Sequence, residues 1–214
     1  MMMQAQAHAP VRILVVEDNL LTRSGSVMLL STQEDFEVVG EGTNGEEGLA
    51  LYAALRPDVV LADLRMPGLG GLGMIEALGR ATPPARIVVL THYDGDEDIF
   101  ASVRAGALGY LTKETGRQDL FEAIRTVARG ERFMPHSISS KLAQRVARPE
   151  LTPREQEVLE RMATGKSNRD IAAGMSLSEK TVTMYVSHIL QKLGVKSRTE
   201  AVLAAMQRGL IKGA

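Results

Sequence analysis

Between residues 11 and 130, five short and nearly all-apolar runs alternate with segments whose apolar residues recur at helical spacing. No other feature constrains the fold as much. The runs are Val11 to Val16, Phe36 to Gly40, Val59 to Ala62, Arg86 to Leu90 and Gly109 to Leu111. A strand that is apolar on both faces belongs in a parallel sheet covered on both sides. Segments such as Gly45 to Leu55 and Leu120 to Val127 have the spacing of the covering helices. The alternation predicts an α/β doubly wound, five-stranded parallel sheet with its functional site at the C-terminal ends of the strands.

From Arg129 to Glu150 the pattern weakens and Gly130, Pro135 and Pro149 punctuate it, so 131–150 reads as a linker, with Ser137 to Ala147 able to form a helix. Beyond it the strand signature vanishes and helix-start signals recur: Thr152 with Glu155, Ser167 with Asp170, Ser197 with Glu200, and Pro153 at a first helical position. Four regions result: a leader over 1–10 expected to be disordered, an α/β domain over 11–130, the linker over 131–150, and a small all-α domain over 151–214. Residues 1–130 hold 11 Lys+Arg against 18 Asp+Glu, and residues 131–214 hold 14 against 8. The first half therefore repels polyanions and the second attracts them. Without cysteine the chain has no disulfide, thiolate metal site or thiol nucleophile, which fits a reducing, cytoplasmic setting. No apolar run approaches the roughly 20 residues of a membrane span, and no membrane association is expected.

Acids stand where strands should end: Glu17 and Asp18 after the first, Asp63 after the third. Thr91 ends the fourth, and Lys113 follows the fifth. In a doubly wound sheet these ends meet on one rim. Carboxylates that converge there repel one another unless a cation neutralises them, and hard oxygen donors suit Mg²⁺. A hydroxyl and an ammonium beside them could hold a phosphoryl group delivered to a carboxylate. Each residue alone also has a plain reading, an acid after a strand as a helix cap and Lys113 as a solvated charge; the coincidence of all five is what points to chemistry.

The run Asp63-Leu64-Arg65-Met66-Pro67-Gly68 with Gly71, together with Glu17-Asp18, Thr91, Gly106-Ala107 and Tyr110-Leu111-Thr112-Lys113, resembles the receiver domain of bacterial two-component response regulators, a flavodoxin-like fold. The resemblance implies that Asp63 is the phosphoacceptor. It also implies that Asp18, Asp63 and the Arg65 carbonyl bind Mg²⁺, with Glu17 acting through water. Thr91 and Tyr110 would be the switch pair and Lys113 the phosphate's counter-ion. Glu114 stands where many receivers have proline, which puts their cis peptide in doubt here. Two other motifs compete. Gly68-Leu69-Gly70-Gly71-Leu72-Gly73 fits a dinucleotide fingerprint, but Asp63 to Pro67 separate it from the strand end. Gly165-Lys166-Ser167 looks like the end of a phosphate loop, but no strand precedes it.

In the second half, Asn168 to Ala173, a turn around Gly174, and Ser178 to Leu193 have helix-turn-helix proportions. Val182, Val186, Ile189 and Leu193 form an apolar stripe, with Lys180, Met184, Ser187 and Gln191 opposite it, as on a helix that enters the major groove or on any amphipathic helix. The stretches Leu151-Thr152-Pro153-Arg154-Glu155, Gly165 with Ser167-Asn168, Ile171-Ala172, Ser178 to Val182, and Lys192 to Val195 with Arg198 resemble the LuxR-type helix-turn-helix. Joined to a receiver, they are similar to the NarL/FixJ regulators. This resemblance implies DNA contacts from Lys180, Thr181, Thr183, Met184, Ser187, Gln191, Lys192 and Arg198 and dimerisation through a last helix over about Thr199 to Arg208, which could equally just close the bundle. Thr183, Tyr185 and Ser187 depart from the basic residues common in that family. Tyr185 could contact a thymine methyl or a phosphate, or pack at the bundle edge.

The function expected is a transcription regulator, not an enzyme beyond Mg²⁺-dependent self-phosphorylation and slow self-dephosphorylation. A sensor histidine kinase would phosphorylate it, and the active form would be a homodimer on a double-stranded DNA operator. Two alternatives remain. An Asp-nucleophile hydrolase of the haloacid-dehalogenase kind needs a second acid two residues after Asp63, where Arg65 stands. A receiver that works without phosphate needs no complete acidic set.

Overall fold

The structure is a computed structural model that describes residues 9–147 and 149–211; the leader expected over 1–10 lies, through residue 8, outside the described residues. The chain divides into two compact units, one built from residues up to 94 with 101–139, the other from 95–100 with residues from 140 onward.

Five strands make the first unit's parallel sheet: β1 Val11–Val16, β2 Phe36–Gly42, β3 Val59–Ala62, β4 Ile87–Thr91 and β5 Gly109–Thr112, in the order β2-β1-β3-β4-β5. Helices α1 Leu20–Leu30, α2 Gly45–Leu55, α3 Gly70–Gly79, α4 Asp96–Ala105 and α5 Arg117–Ala128 connect and follow them. Chain order reverses between β1 and β3, so the C-terminal ends of these two strands open onto a crevice.

Alternate residues of β1 serve opposite faces. Ile13 and Val15 join Val59, Leu61, Val88 and Leu111 against Leu30 of α1 and Phe121, Ile124 and Val127 of α5. Val16 turns toward α2 and α3, so close to Gly48 that a Cβ there would press on Val16 and the Met74 sulfur. Phe36 and Phe121 meet edge to face, with ring centroids 5.9 Å apart. Each fully buried aliphatic side chain on these two faces contributes roughly 1.5–3 kcal/mol to the stability of the sheet that carries the rim.

Strand and helix limits differ slightly from expectation. β4 starts at Ile87, although the Arg86 carbonyl still accepts from the Val60 N–H at 2.9 Å, and the Arg86 side chain donates to the Ala128 carbonyl at 2.6 Å. α5 starts three residues before Leu120, since its first turn is polar and carries no apolar signal.

In the second unit α7 Pro153–Ala163, α8 Asn168–Met175, α9 Glu179–Leu193 and α10 Arg198–Gln207 pack around Val158, Leu159, Ile171, Val182, Ile189 and Ala201. The stretch expected as a linker contains a helix, α6 His136–Val146, and is divided between the two units at residue 139. Thr152 and Ser167 close full capping boxes with Glu155 and Asp170. Ser197 caps α10, but Glu200 reaches the Lys196 N–H and not that of the cap. The turn between α8 and α9 is not at Gly174. α8 continues to Met175 and Ser176 takes the left-handed conformation, φ 56°. A Cβ on Gly174 would meet only the end of the flexible Arg161 side chain, 2.8 Å away.

Candidate functional site

The rim of the first unit carries the acidic group expected of it. β1 ends in Glu17 and Asp18 and β3 in Asp63; one carboxylate oxygen from each lies within 4.8 Å of the others. Asp18 does not cap α1: that place belongs to Asn19, whose side chain accepts from the Thr22 N–H. Asp63 is buried. One of its oxygens accepts from the Leu64 N–H at 2.6 Å and the other from Lys113 Nζ at 2.8 Å. Lys113 also reaches Glu17 at 2.6 Å, with both side chains more than nine-tenths buried.

Burial pushes the Glu17 carboxyl above its usual value; the neighbouring Asp63 charge adds to this and Lys113 only partly offsets it. Burial also presses on Lys113, in the direction of losing its proton, but hydrogen bonds and charge from Asp63 and Glu17 win and its pKa is raised. The lysine is thus a firmly charged group at the acids' centre. Three hard oxygen donors this close, one of them exposed to solvent, suit a small divalent cation such as Mg²⁺.

Thr91, fully buried, ends β4, and its hydroxyl accepts from the Tyr93 N–H at 3.4 Å. The Tyr110 ring is also fully buried, and its hydroxyl donates to the Tyr93 carbonyl at 2.6 Å. Arg65 is exposed and its guanidinium lies 4.0 Å above the Tyr93 ring. The glycine run after Asp63 serves the backbone: Gly68 and Gly70 have positive φ, and a Cβ on Gly71 would overlap the Asp63 carbonyl oxygen. Among the described residues the one cis peptide is Thr82-Pro83, so Lys113-Glu114 is trans. Arg23 went unnoticed in the sequence. From α1 it donates to the Glu17 carbonyl at 2.8 Å and pairs with Glu41, steadying the loop that carries Glu17 and Asp18.

In the second unit Lys180, Thr183, Met184, Ser187 and Gln191 are exposed along α9, while Thr181 is half-buried with its hydroxyl on Ser178. Tyr185 is half-buried and packs against the bundle core. Two residues expected to meet DNA are engaged within the domain. Lys192 bonds the buried Glu155 at 2.7 Å and the Glu150 carbonyl at 2.9 Å. Arg198 bonds the Asn168 side-chain oxygen at 3.1 Å and the Lys166 carbonyl at 2.5 Å. Glu155 and Asn168 both stood in the motif, but nothing in the sequence marked them as partners of cations 37 and 30 residues away.

Burial works to raise the Glu155 carboxyl, yet the Lys192 and Thr152 hydrogen bonds outweigh it and hold the group below its ordinary 4.5. A depressed carboxyl contributes stability that is fully present above the unfolded value and is lost as pH falls through the folded one. Acid titration followed by circular dichroism should therefore show the helical unit losing stability below about pH 4.5, with a shallower loss in Glu155→Gln. Equal slopes in the two proteins would show that Glu155 does not carry the acid loss.

Residues 13–125 match the response regulator receiver domain, and residues 149–205 match the bacterial regulatory proteins of the luxR family. The chain belongs to the two-domain response regulators. It is 37% identical to the nitrate/nitrite response regulator protein NarL of Escherichia coli (strain K12), covering 91% of this chain and 94% of that one. Identity to the response regulator protein VraR of Staphylococcus aureus (strain NCTC 8325 / PS 47) is 36%, over 94% and 99%. A solved structure of RcsB from Salmonella enterica serovar Typhimurium, bound to promoter P1flhDC with the phosphomimetic BeF3-, aligns with a TM-score of 0.73 at 26% identity, over 92% and 98%. This response regulator thus joins a receiver domain to a LuxR-type DNA-binding domain. Among its described residues no helix is long and apolar enough to cross a membrane.

Proposed function

We propose that this response regulator works in the cytoplasm, that a partner sensor histidine kinase phosphorylates it on Asp63, and that the phosphoryl group controls its binding, as a homodimer, to a double-stranded DNA operator. The observation that carries the reading is the Asp63 carboxylate, fixed by the Leu64 N–H and the Lys113 ammonium beside Glu17 and Asp18.

An Asp63 oxygen attacks the phosphorus of a phosphohistidine or of acetyl phosphate. The bond from phosphorus to the donor breaks, its electron pair leaves with the donor, and an acyl phosphate remains on Asp63. Lys113 is already charged at that oxygen and stabilises the negative charge spreading over the phosphoryl group. Asp18, Asp63 and the Arg65 carbonyl, with Glu17 through water, are the groups that would hold Mg²⁺, whose charge neutralises the converging oxygens when it is bound. The buried Thr91 hydroxyl, which accepts from the Tyr93 N–H, would donate its hydrogen to a phosphoryl oxygen, and Tyr110 would feel that change through its bond to the Tyr93 carbonyl. The chain's chemistry ends with slow hydrolysis of its own acyl phosphate. For the DNA-bound state, support comes from RcsB, whose dimers are described on DNA. Lys180, Thr181, Thr183, Met184, Ser187, Gln191, Lys192 and Arg198 would meet the DNA, Lys192 and Arg198 being also held within the domain by their own hydrogen bonds.

Intact-mass spectrometry after incubation with acetyl phosphate tests the first half. One phosphoryl group per chain is expected with Mg²⁺ and none with EDTA. Sustained turnover of acetyl phosphate without a labelled chain would instead make the protein a hydrolase.

A further inference from the structure

On the reading of α9 as the recognition helix, we infer that Thr183 offers the DNA major groove its methyl group and not its hydroxyl, so that operator choice depends on a thymine C5-methyl. The hydroxyl has one hydrogen and two lone pairs. Its hydrogen is spent on the Glu179 carbonyl, one turn back, at 3.0 Å. A lone pair is taken by the Asn168 side-chain N–H at 3.3 Å. The orientation of Asn168 is itself fixed. Arg198 can only donate, so the amide oxygen must face Arg198 and the amide nitrogen must face Thr183.

Arg198 is anchored in turn on the Lys166 carbonyl, so a chain of hydrogen bonds runs from α10 through α8 to the exposed face of α9. One turn further along, the Ser187 hydroxyl donates to the Thr183 carbonyl and is drawn to the backbone in the same way. Thr183 is nevertheless exposed, beside the exposed Met184. A threonine whose one hydroxyl hydrogen is spent can donate to no base edge; with its side chain exposed, it has its methyl group and a single remaining lone pair to offer. Among unmodified base edges in the major groove, only thymine offers a methyl group to match it.

The test uses duplexes selected from a random-sequence pool by the full-length protein, in which each thymine is then replaced singly by deoxyuridine. This removes the methyl and leaves the hydrogen-bonding edge unchanged. At one thymine per half-site the replacement should weaken wild-type binding about fourfold, the value of one buried methyl-sized group. Thr183→Ser keeps the hydroxyl and loses the methyl, and should bind the thymine and uracil duplexes equally at that position. Thr183→Val keeps a methyl and loses the hydroxyl, and should retain the uracil penalty. The inference fails if uracil is tolerated at every position, if Thr183→Ser keeps the penalty, or if Thr183→Val loses it. A selection that enriches no sequence would instead overturn the reading of α9 on which the inference rests.

Discussion

Asp63→Asn should take up no phosphoryl group from acetyl phosphate with Mg²⁺ under conditions that label the wild type, with its circular dichroism unchanged. Asparagine keeps the shape and can still accept from the Leu64 N–H, but its amide lacks the nucleophilic oxygen and the charge that Lys113 pairs with. Lys113→Ala removes the one ammonium on the nucleophile while leaving Asp63 in place, and should slow labelling about 100-fold, in the range for loss of a single electrostatic contact to a transition state. The two variants separate the attacking group from the group that stabilises the attack. Undiminished labelling of Asp63→Asn, at whatever residue, would displace the acceptor from this rim.

The second large effect is on stability. Gly71→Ala should lower stability by about 3 kcal/mol, and the midpoint of thermal unfolding by roughly 10 °C, because its new Cβ overlaps the Asp63 carbonyl oxygen. That oxygen is backbone and cannot swing aside as a flexible side chain could. The strand end must shift, and it carries the phosphoacceptor candidate with it. Gly25→Ala makes the opposite comparison. It lies within α1 with open space around it, and should stabilise by about 1 kcal/mol through helix propensity. Differential scanning calorimetry on both variants reads the two signs, and a neutral Gly71→Ala would show that the loop after Asp63 is looser than described.

The strands were legible because each is a short run buried on both faces, as Val59 to Ala62 shows, and four of the rim residues stand immediately at strand ends where chain topology alone brings them together. Gly71 was visible as part of a motif, but its reason was not, since the clash that forbids a side chain involves backbone eight residues earlier. On the DNA-binding side the sequence located the exposed face of α9 from its period. It did not show the bonds that Lys192 and Arg198 make within the domain, because a long cationic side chain goes where its partner is, and Glu155 and Asn168 are brought to them only by tertiary packing. The turn at Ser176 was missed for a related reason. Glycine is the usual marker of a left-handed residue, and here the nearby Gly174 lies within α8 while Ser176 takes that conformation.

Phosphorylation at Asp63 as the control of DNA binding is the central claim, and it is tested most directly by fluorescence anisotropy on a selected operator duplex, with the protein untreated and after acetyl phosphate and Mg²⁺. A roughly tenfold or greater gain in affinity, about 1.4 kcal/mol of coupling, is expected for the wild type and none for Asp63→Asn. Equal affinity of phosphorylated and unphosphorylated wild type, or the same gain in Asp63→Asn, would contradict it.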